Sequence, residues 1–157
     1  MTKHTARYAP ISLHARRKTD LHTQFAALCY RIVKDKPEIL LVTSLGTGRW
    51  IIPKGWPSDG MTPVESALTE AWEEAGVRGR ISGPCIGLFS YQKRMTNKDD
   101  LPCVAMVYPV RVKSLADEYP EKGQRKRKWL SPKKAASRVD EPELAYILRS
   151  FDPKLLR

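Results

Sequence analysis

The sequence predicts a mixed α/β fold of the α+β kind, a sandwich in which strands are interrupted by one central helix and closed by another. Three observations lead to it. Two apolar runs rich in β-formers, TQFAALCYRIV over 23–33 and EILLVTS over 38–44, lie a short polar stretch apart. Residues 63–75 carry helix signals at both ends. A last amphipathic segment, 141–151, sets Leu144, Ile147, Leu148 and Phe151 on one helical face.

In chain order, residues 1–20 have no clear period and read as an N-terminal arm on a single domain spanning 1–157. Lys34-Asp35-Lys36-Pro37 separates the first two strands as a polar turn whose proline is expected to stop pairing. Arg49–Ile52 reads as a short strand. Pro53–Gly60, with two prolines and two glycines in eight residues, reads as a loop. Thr62 then suits an N-cap, Pro63 the first helical position, and Glu65 the far end of a T-x-x-E capping box. Val64, Ala67, Leu68, Ala71 and Ala75 form an apolar stripe, and Gly76 supplies a left-handed stop. Strands are expected over 85–90 and 103–112, joined by a polar Gln92–Asp100 loop, with one more at 128–130. Residues 132–137 read as a short helix before the last one.

Composition narrows the classes. The chain has 157 residues, 41% hydrophobic and 29% charged, which fits one globular core and excludes a wholly disordered chain. No apolar run approaches the roughly 18–20 residues of a membrane span, so no membrane partner is expected. Cys29, Cys85 and Cys103 are odd in number, widely spaced and set in apolar sequence. They read as buried thiols of a reducing compartment, and with no secretory signal pattern the expectation is cytoplasmic.

The formal charge is +11, unevenly spread. Residues 111–138 hold ten Lys/Arg against three acids, whereas 59–76 hold Asp59, Glu65, Glu70, Glu73 and Glu74 with no Lys or Arg. A polyanionic partner approached through an acidic, metal-filled centre would explain that pattern. A solvated basic surface beside an ordinary acidic helix would too. Glu70, Glu73 and Glu74 stand at i, i+3 and i+4, so three carboxylates crowd one helix face and repel. The apolar stripe is expected on the opposite flank, presenting that acidic face. Hard divalent cations sit between such carboxylates and substrate phosphates, and a spare glutamate beside the metal can take a proton from water.

The stretch from Gly55 through Glu70-Ala71-Trp72-Glu73-Glu74-Ala75-Gly76-Val77 resembles the Nudix hydrolase signature G-x5-E-x7-R-E-U-x-E-E-x-G-U, with its spacing kept. The resemblance implies a Nudix fold and metal-dependent hydrolysis of a diphosphate linked to another group. By the same resemblance Glu70 and Glu74 are metal ligands, the Gly55 carbonyl is a metal contact, and Glu73 is the general base or a further ligand. The cofactor implied is Mg²⁺, with Mn²⁺ as its substitute. Two signature positions differ: Met61 replaces the first Glu and Thr69 the Arg. Losing both partners of a charged brace leaves no orphaned charge, so a different brace is expected rather than a dead site.

AALCYR, EILLVTS, RWIIPKGW, EEAGVRG and GQRKRKW extend the similarity to the diphosphoinositol polyphosphate phosphohydrolases, which also cleave diadenosine polyphosphates. The chain departs at Pro53-Lys54-Gly55, where that family more often has a glycine run. Lys54 is there either a surface charge or a phosphate contact. In an extended Gln124–Trp129 segment, Arg125, Arg127 and Trp129 would project one way and Lys126 and Lys128 the other. Arg125 and Arg127 are candidate phosphate ligands, unless the segment is only a solubilising turn. Lys133 matches a lysine of that family near substrate, and Arg49 is a further candidate. The expected partner is a small polyphosphorylated substrate, a diadenosine or inositol polyphosphate. Removal of pyrophosphate from RNA 5′ ends ranks lower, since no stripe of interleaved basic and aromatic residues stands out. A non-catalytic polyphosphate sensor is kept open by Met61 and Thr69, and opposed by three intact, mutually repelling glutamates.

Overall fold

A computed structural model describes residues 22–93 and 100–156. The expected arm over 1–20 and most of the Gln92–Asp100 loop lie outside the described residues. One mixed sheet forms the centre. In chain order its strands are β1 (His22–Val33), β2 (Lys36–Thr43), β3 (Trp50–Ile51), β4 (Lys54–Gly55), β5 (Val77–Ile81), β6 (Gly87–Lys93), β7 (Leu101–Leu115) and β8 (Arg127–Leu130). The main path runs β3-β2-β1-β7-β5, with β4 also on β1, β6 on β7 and β8 on β2. Only the central β1–β7 pair is parallel among these pairings.

That central place explains why β1 reads as a continuous apolar run rather than an alternation. Both its faces are covered, and Gln24–Tyr30 are all buried. Ala26, Leu28 and Tyr30 face one core with Leu144, Leu148 and Phe151, beneath α2 (Pro132–Arg138) and α3 (Pro142–Arg149). Ala27 and Cys29 face the other, with Ala71 and Ala75 of α1 (Pro63–Ala75). The expected sandwich is present. No helix among the described residues is long and apolar enough to cross a membrane.

Several elements differ from the sequence reading for identifiable reasons. Pro37 does not stop pairing: Lys34 and Asp35, both at positive φ, make a two-residue turn, and Pro37 stands opposite Ile32 within β2. One pair beyond such a turn, backbone N–H groups point away from the partner strand, so the proline forfeits no bond to β1. On the other side β8 pairs only from Ile39 onward. The strand β5 escaped notice because VRGRI is poor in β-formers; its antiparallel pairing with β7 overrides propensity. Within it, a Cβ on Gly79 would stand 2.3 Å from the Arg111 carbonyl oxygen, so glycine is required by clearance. β6 begins after Cys85 and runs on to Lys93, and α3 ends at Arg149, before Phe151.

The helix α1 has the predicted ends. Thr62 accepts from the Glu65 N–H at 3.2 Å, and Gly76, at φ 65°, donates to the Trp72 carbonyl at 2.9 Å. Its buried face corrects the expectation of an acidic flank opposite the apolar one. Glu74 is 2% exposed and shares the inner face with Ala67 and Ala71, seven and three residues earlier.

Candidate active site

The loop expected at 53–60 begins as the short strand β4, which pairs Lys54 and Gly55 with Ala26 and Phe25 of β1. This anchors the backbone against α1. The Lys54 N–H donates to Glu74 Oε2 at 2.9 Å, and Gly55 lies hard against the Glu70 carboxyl. A Cβ at Gly55 would stand 2.2 Å from Glu70 Cδ. Gly55 is not at positive φ, so its glycine is needed for this approach rather than for the backbone.

Arg125 closes the site from the segment before β8. Its Nη2 lies 3.1 Å from Glu74 Oε1 and 3.0 Å from Glu121 Oε1, and its Nη1 donates to the Thr43 carbonyl at 3.0 Å. Burial raises the Glu74 carboxyl to about 8 despite Arg125 and the Lys54 N–H, which oppose it. Burial, with help from Glu73 and Glu121, raises Glu70 to about 7. Lys54 is lowered to about 8, again mainly by burial. Three charged groups are therefore held near neutrality within one small region, a pattern concentrated at functional sites.

A cleft of about 680 Å³ opens beside them, lined by Arg49, Lys54, Glu74, Lys93, Arg125 and Glu141 among others. Lys54 Nζ sits 4.5 Å over the Tyr91 ring, and the Tyr91 hydroxyl bonds to the Gln24 side chain. Lys93 Nζ lies 5.2 Å from the Trp56 ring centre, and His22 meets that ring edge-on. At the far wall Arg49 Nη1 holds Glu141 Oε1 at 2.5 Å and approaches Asp140 Oδ2 at 3.7 Å.

Of the residues singled out from sequence, Arg49, Lys54, Arg125 and Glu74 line this cleft. Glu70 does not line it and lies against Gly55. Glu73 is half-buried and raises the Glu70 carboxyl, while its carbonyl accepts from the Glu121 N–H at 3.0 Å. Arg127 does not line the cleft. It projects toward α1, on the same side as Arg125, and there its Nη1 donates to the carbonyls of Ala75 at 2.9 Å and Ala116 at 3.2 Å, beneath the Tyr119 ring. It supplies the positive charge that the last turn of α1 lacks. Lys133 is exposed in the first turn of α2 and does not line the cleft either. Met61 and Thr69 meet each other: the Thr69 hydroxyl lies 3.7 Å from Met61 Sδ and bonds to the Glu65 carbonyl at 2.9 Å. An uncharged contact thus joins the loop to the helix.

Sequence reasoning missed Gln24, Asp140 and Glu141. Gln24 was signalled by a lone polar residue inside an apolar run. Glu141 was signalled by its place at a helix start with an acid instead of a capping side chain to the helix.

The donor set suits a hard divalent cation: two carboxylates whose protonated forms are favoured by burial, beside a glycine cradle that a Cβ would fill. Among the described residues no three His, Cys, Asp or Glu side chains already converge around one point. Glu74 is engaged by Arg125 instead.

Comparison with known proteins bears on the family and the fold. The chain is 31% identical over 104 residues to Nudix hydrolase 12, mitochondrial, of Arabidopsis thaliana, covering 64% of this chain and 51% of that protein. It is 29% identical over 106 residues to human diphosphoinositol polyphosphate phosphohydrolase 3-beta, covering 66% and 60%. The chain thus spans about half to three fifths of the length of these curated relatives. The fold matches a binary complex of a C. elegans Ap4A hydrolase with a TM-score of 0.65 at 22% identity, over 82% of this chain and 93% of that one. The NUDIX domain profile matches residues 22–151, from the first residue of β1 to past the end of α3, and the chain belongs to the Nudix family.

Proposed function

We propose that this chain is a metal-dependent pyrophosphohydrolase that cleaves a phosphoanhydride bond in a small polyphosphorylated molecule. The observation that carries the reading is the approach of Gly55 to the Glu70 carboxyl, beside a buried Glu74, at the edge of a cleft lined by four cations. Glu70, Glu74 and the Gly55 carbonyl would hold Mg²⁺ or Mn²⁺, which when bound supplies Lewis acidity at the phosphoryl oxygens and a more acidic water. Glu73 serves as general base or as a further ligand. Arg49, Lys54, Lys93 and Arg125 bind and orient the phosphate chain, Arg125 through a planar fork suited to oxygen pairs. Lys54, with its proton held less tightly than usual, is poised to gain charge stabilisation as an anion enters.

The relatives named for diphosphoinositol polyphosphates and for Ap4A support these two substrate classes. The uncharged Thr69–Met61 contact supports an active enzyme over a sensor, since the loop remains tied to α1 without the signature's charged pair. Cys29, Cys85 and Cys103 form no disulfide among the described residues, which supports a reducing compartment such as the cytoplasm. The test is product release with and without Mg²⁺ from diadenosine polyphosphates, an inositol pyrophosphate, nucleoside triphosphates and triphosphorylated RNA. Wild type is expected to turn over at least one of them only with metal, and folded Glu70→Gln and Glu74→Gln to lose most of that turnover. Metal-independent turnover, or full activity in both variants, would remove these glutamates from the reaction.

A further inference from the structure

The pairing of β5 with β7 sets like charges together. Arg80 stands directly opposite Arg111, with Arg78 two residues before the first and Lys113 two residues after the second. Val77, Ile81, Val110 and Val112 pack toward α1, and all four cations are left exposed. Like charges directly opposite on neighbouring strands destabilise a sheet. Yet none of the four forms an ion pair among the described residues. Arg78 Cζ lies instead 5.3 Å from the ring centre of Trp72, a half-buried residue of α1.

An open groove of about 560 Å³ runs among them, lined by the four cations with Gly79 and Val112. It shares no lining residue with the cleft described above. β5 ends the main path of the sheet opposite β3, whose Ile51 lines that cleft. Four cations without an acid to balance them are complementary to a polyanion. Three of them are arginines, whose planar forks suit the oxygen pairs of phosphate. Their spread over two strands addresses several phosphates of one chain rather than a single one. None of the exposed large apolar residues lines the groove, so it offers a bilayer nothing to insert. Trp72, next to Arg78, adds a π surface of the kind on which bases stack.

We propose that this groove holds the phosphodiester backbone of single-stranded nucleic acid, with a base stacked at Trp72, on a surface separate from the cleft. The strand is a docked partner and not the molecule cleaved, so the proposal does not rest on the hydrolase reading.

The probe is a fluorescent oligouridylate of about 12 nucleotides with a 5′-hydroxyl, which carries no phosphoanhydride, titrated with the full chain and followed by anisotropy. Wild type should bind it in roughly the micromolar range at about 50 mM salt. Saturating Mg²⁺ pyrophosphate should leave that affinity within about twofold, since it is directed to the cleft. Arg80→Glu with Arg111→Glu should weaken binding at least about tenfold. The salt slope should become shallower by about 1.4, two phosphate contacts at about 0.7 each. Lys126→Glu with Lys128→Glu reverses the same charge at two other exposed positions and should change affinity less than about threefold. Trp72→Leu should cost roughly fivefold or more. Thermal unfolding identifies the folded variants, and Arg80→Gln with Arg111→Gln, which removes the opposed charges, decides if the reversal does not fold. No binding, equal losses in the two reversal variants, or displacement by pyrophosphate overturns the proposal and leaves the hydrolase reading standing. So does tighter binding to phosphatidylserine vesicles than to the oligonucleotide, which would give the groove to a membrane. A folded Trp72→Leu with unchanged affinity overturns the single-strand assignment.

Discussion

Gly55→Ala adds one methyl group where it matters most. Its Cβ would stand 2.2 Å from Glu70 Cδ and 2.3 and 2.5 Å from the two carboxyl oxygens. Ordinary carbon–carbon contact is about 3.5–4.0 Å, so the carboxyl must retreat by about 1.3–1.8 Å. The obstacle is the far end of a flexible side chain and the backbone of Gly55 is not at positive φ, so the protein should still fold. A displaced rotamer costs about 0.5–1.5 kcal/mol, and the stiffer unfolded chain returns about 0.4–1 kcal/mol. The net change is within about 1 kcal/mol, or roughly 2–4 °C in melting temperature for a chain of this size. Chemistry should suffer far more, since a misplacement of about 1 Å costs on the order of 100-fold. The assay pairs thermal unfolding with Mg²⁺-dependent turnover on the best substrate. A folded Gly55→Ala with turnover within about threefold of wild type would mean that the approach to Glu70 has no catalytic meaning.

Arg125→Met removes a guanidinium bonded to Glu74, Glu121 and the Thr43 carbonyl. Because Glu74 holds its proton up to about 8, the cost in urea denaturation at neutral pH should be about 1–3 kcal/mol. It should grow as pH rises past 8, where the carboxylate is left unpaired. Adding Glu74→Gln should abolish that growth with pH, which a purely steric effect of Met would not permit. In metal-free buffer, Glu70 and Glu74 bind their protons more tightly folded, at about 7 and about 8, than at the ordinary 4.5 of an unfolded chain. Their contribution is therefore full below about 4.5 and is lost as pH rises through 7 to 8, so the urea midpoint should fall across that window in EDTA. Mg²⁺ should stabilise the protein more at pH 8 than at pH 5, and a midpoint that rises with pH in EDTA would contradict both shifts. Arg127→Ala unbinds the last carbonyl of α1 and should cost about 1–2 kcal/mol with turnover changed only a few-fold; a large rise in KM with unchanged stability would return Arg127 to the substrate.

The parts of the fold legible in the sequence were those set by local signals. Thr62, Pro63, Glu65 and Gly76 delimit α1 without help from the rest of the chain, and the apolar run in β1 announces a strand covered on both faces. What was not legible depends on partners distant in sequence. VRGRI becomes a strand because β7 is there to pair with it, and Lys54–Gly55 because β1 is. The GQRKRKW segment shows the limit within a single motif. Alternation puts Arg125 and Arg127 on one side of the segment, yet it could not tell which element faces that side, nor distinguish a carboxylate from a carbonyl as the acceptor awaiting each. Two residues apart, the first meets Glu74 at the cleft and the second meets the end of the helix.

Glu74 carries the same lesson into the chemistry. By helical spacing alone, Glu74 shares one presented acidic face with Glu70 and Glu73. In the fold it stands in line with Ala67 and Ala71, whose small side chains let α1 approach the sheet closely enough to bury it. That burial favours its proton, requires Arg125 nearby, and brings its oxygen to the Lys54 N–H. The three glutamates are thus not interchangeable. One carboxylate lines the cleft, one lies against Gly55 and one is half-buried beside the second. In the function proposed above, a divalent cation would neutralise the first two and give the fold a reason to keep acids where leucines would pack better.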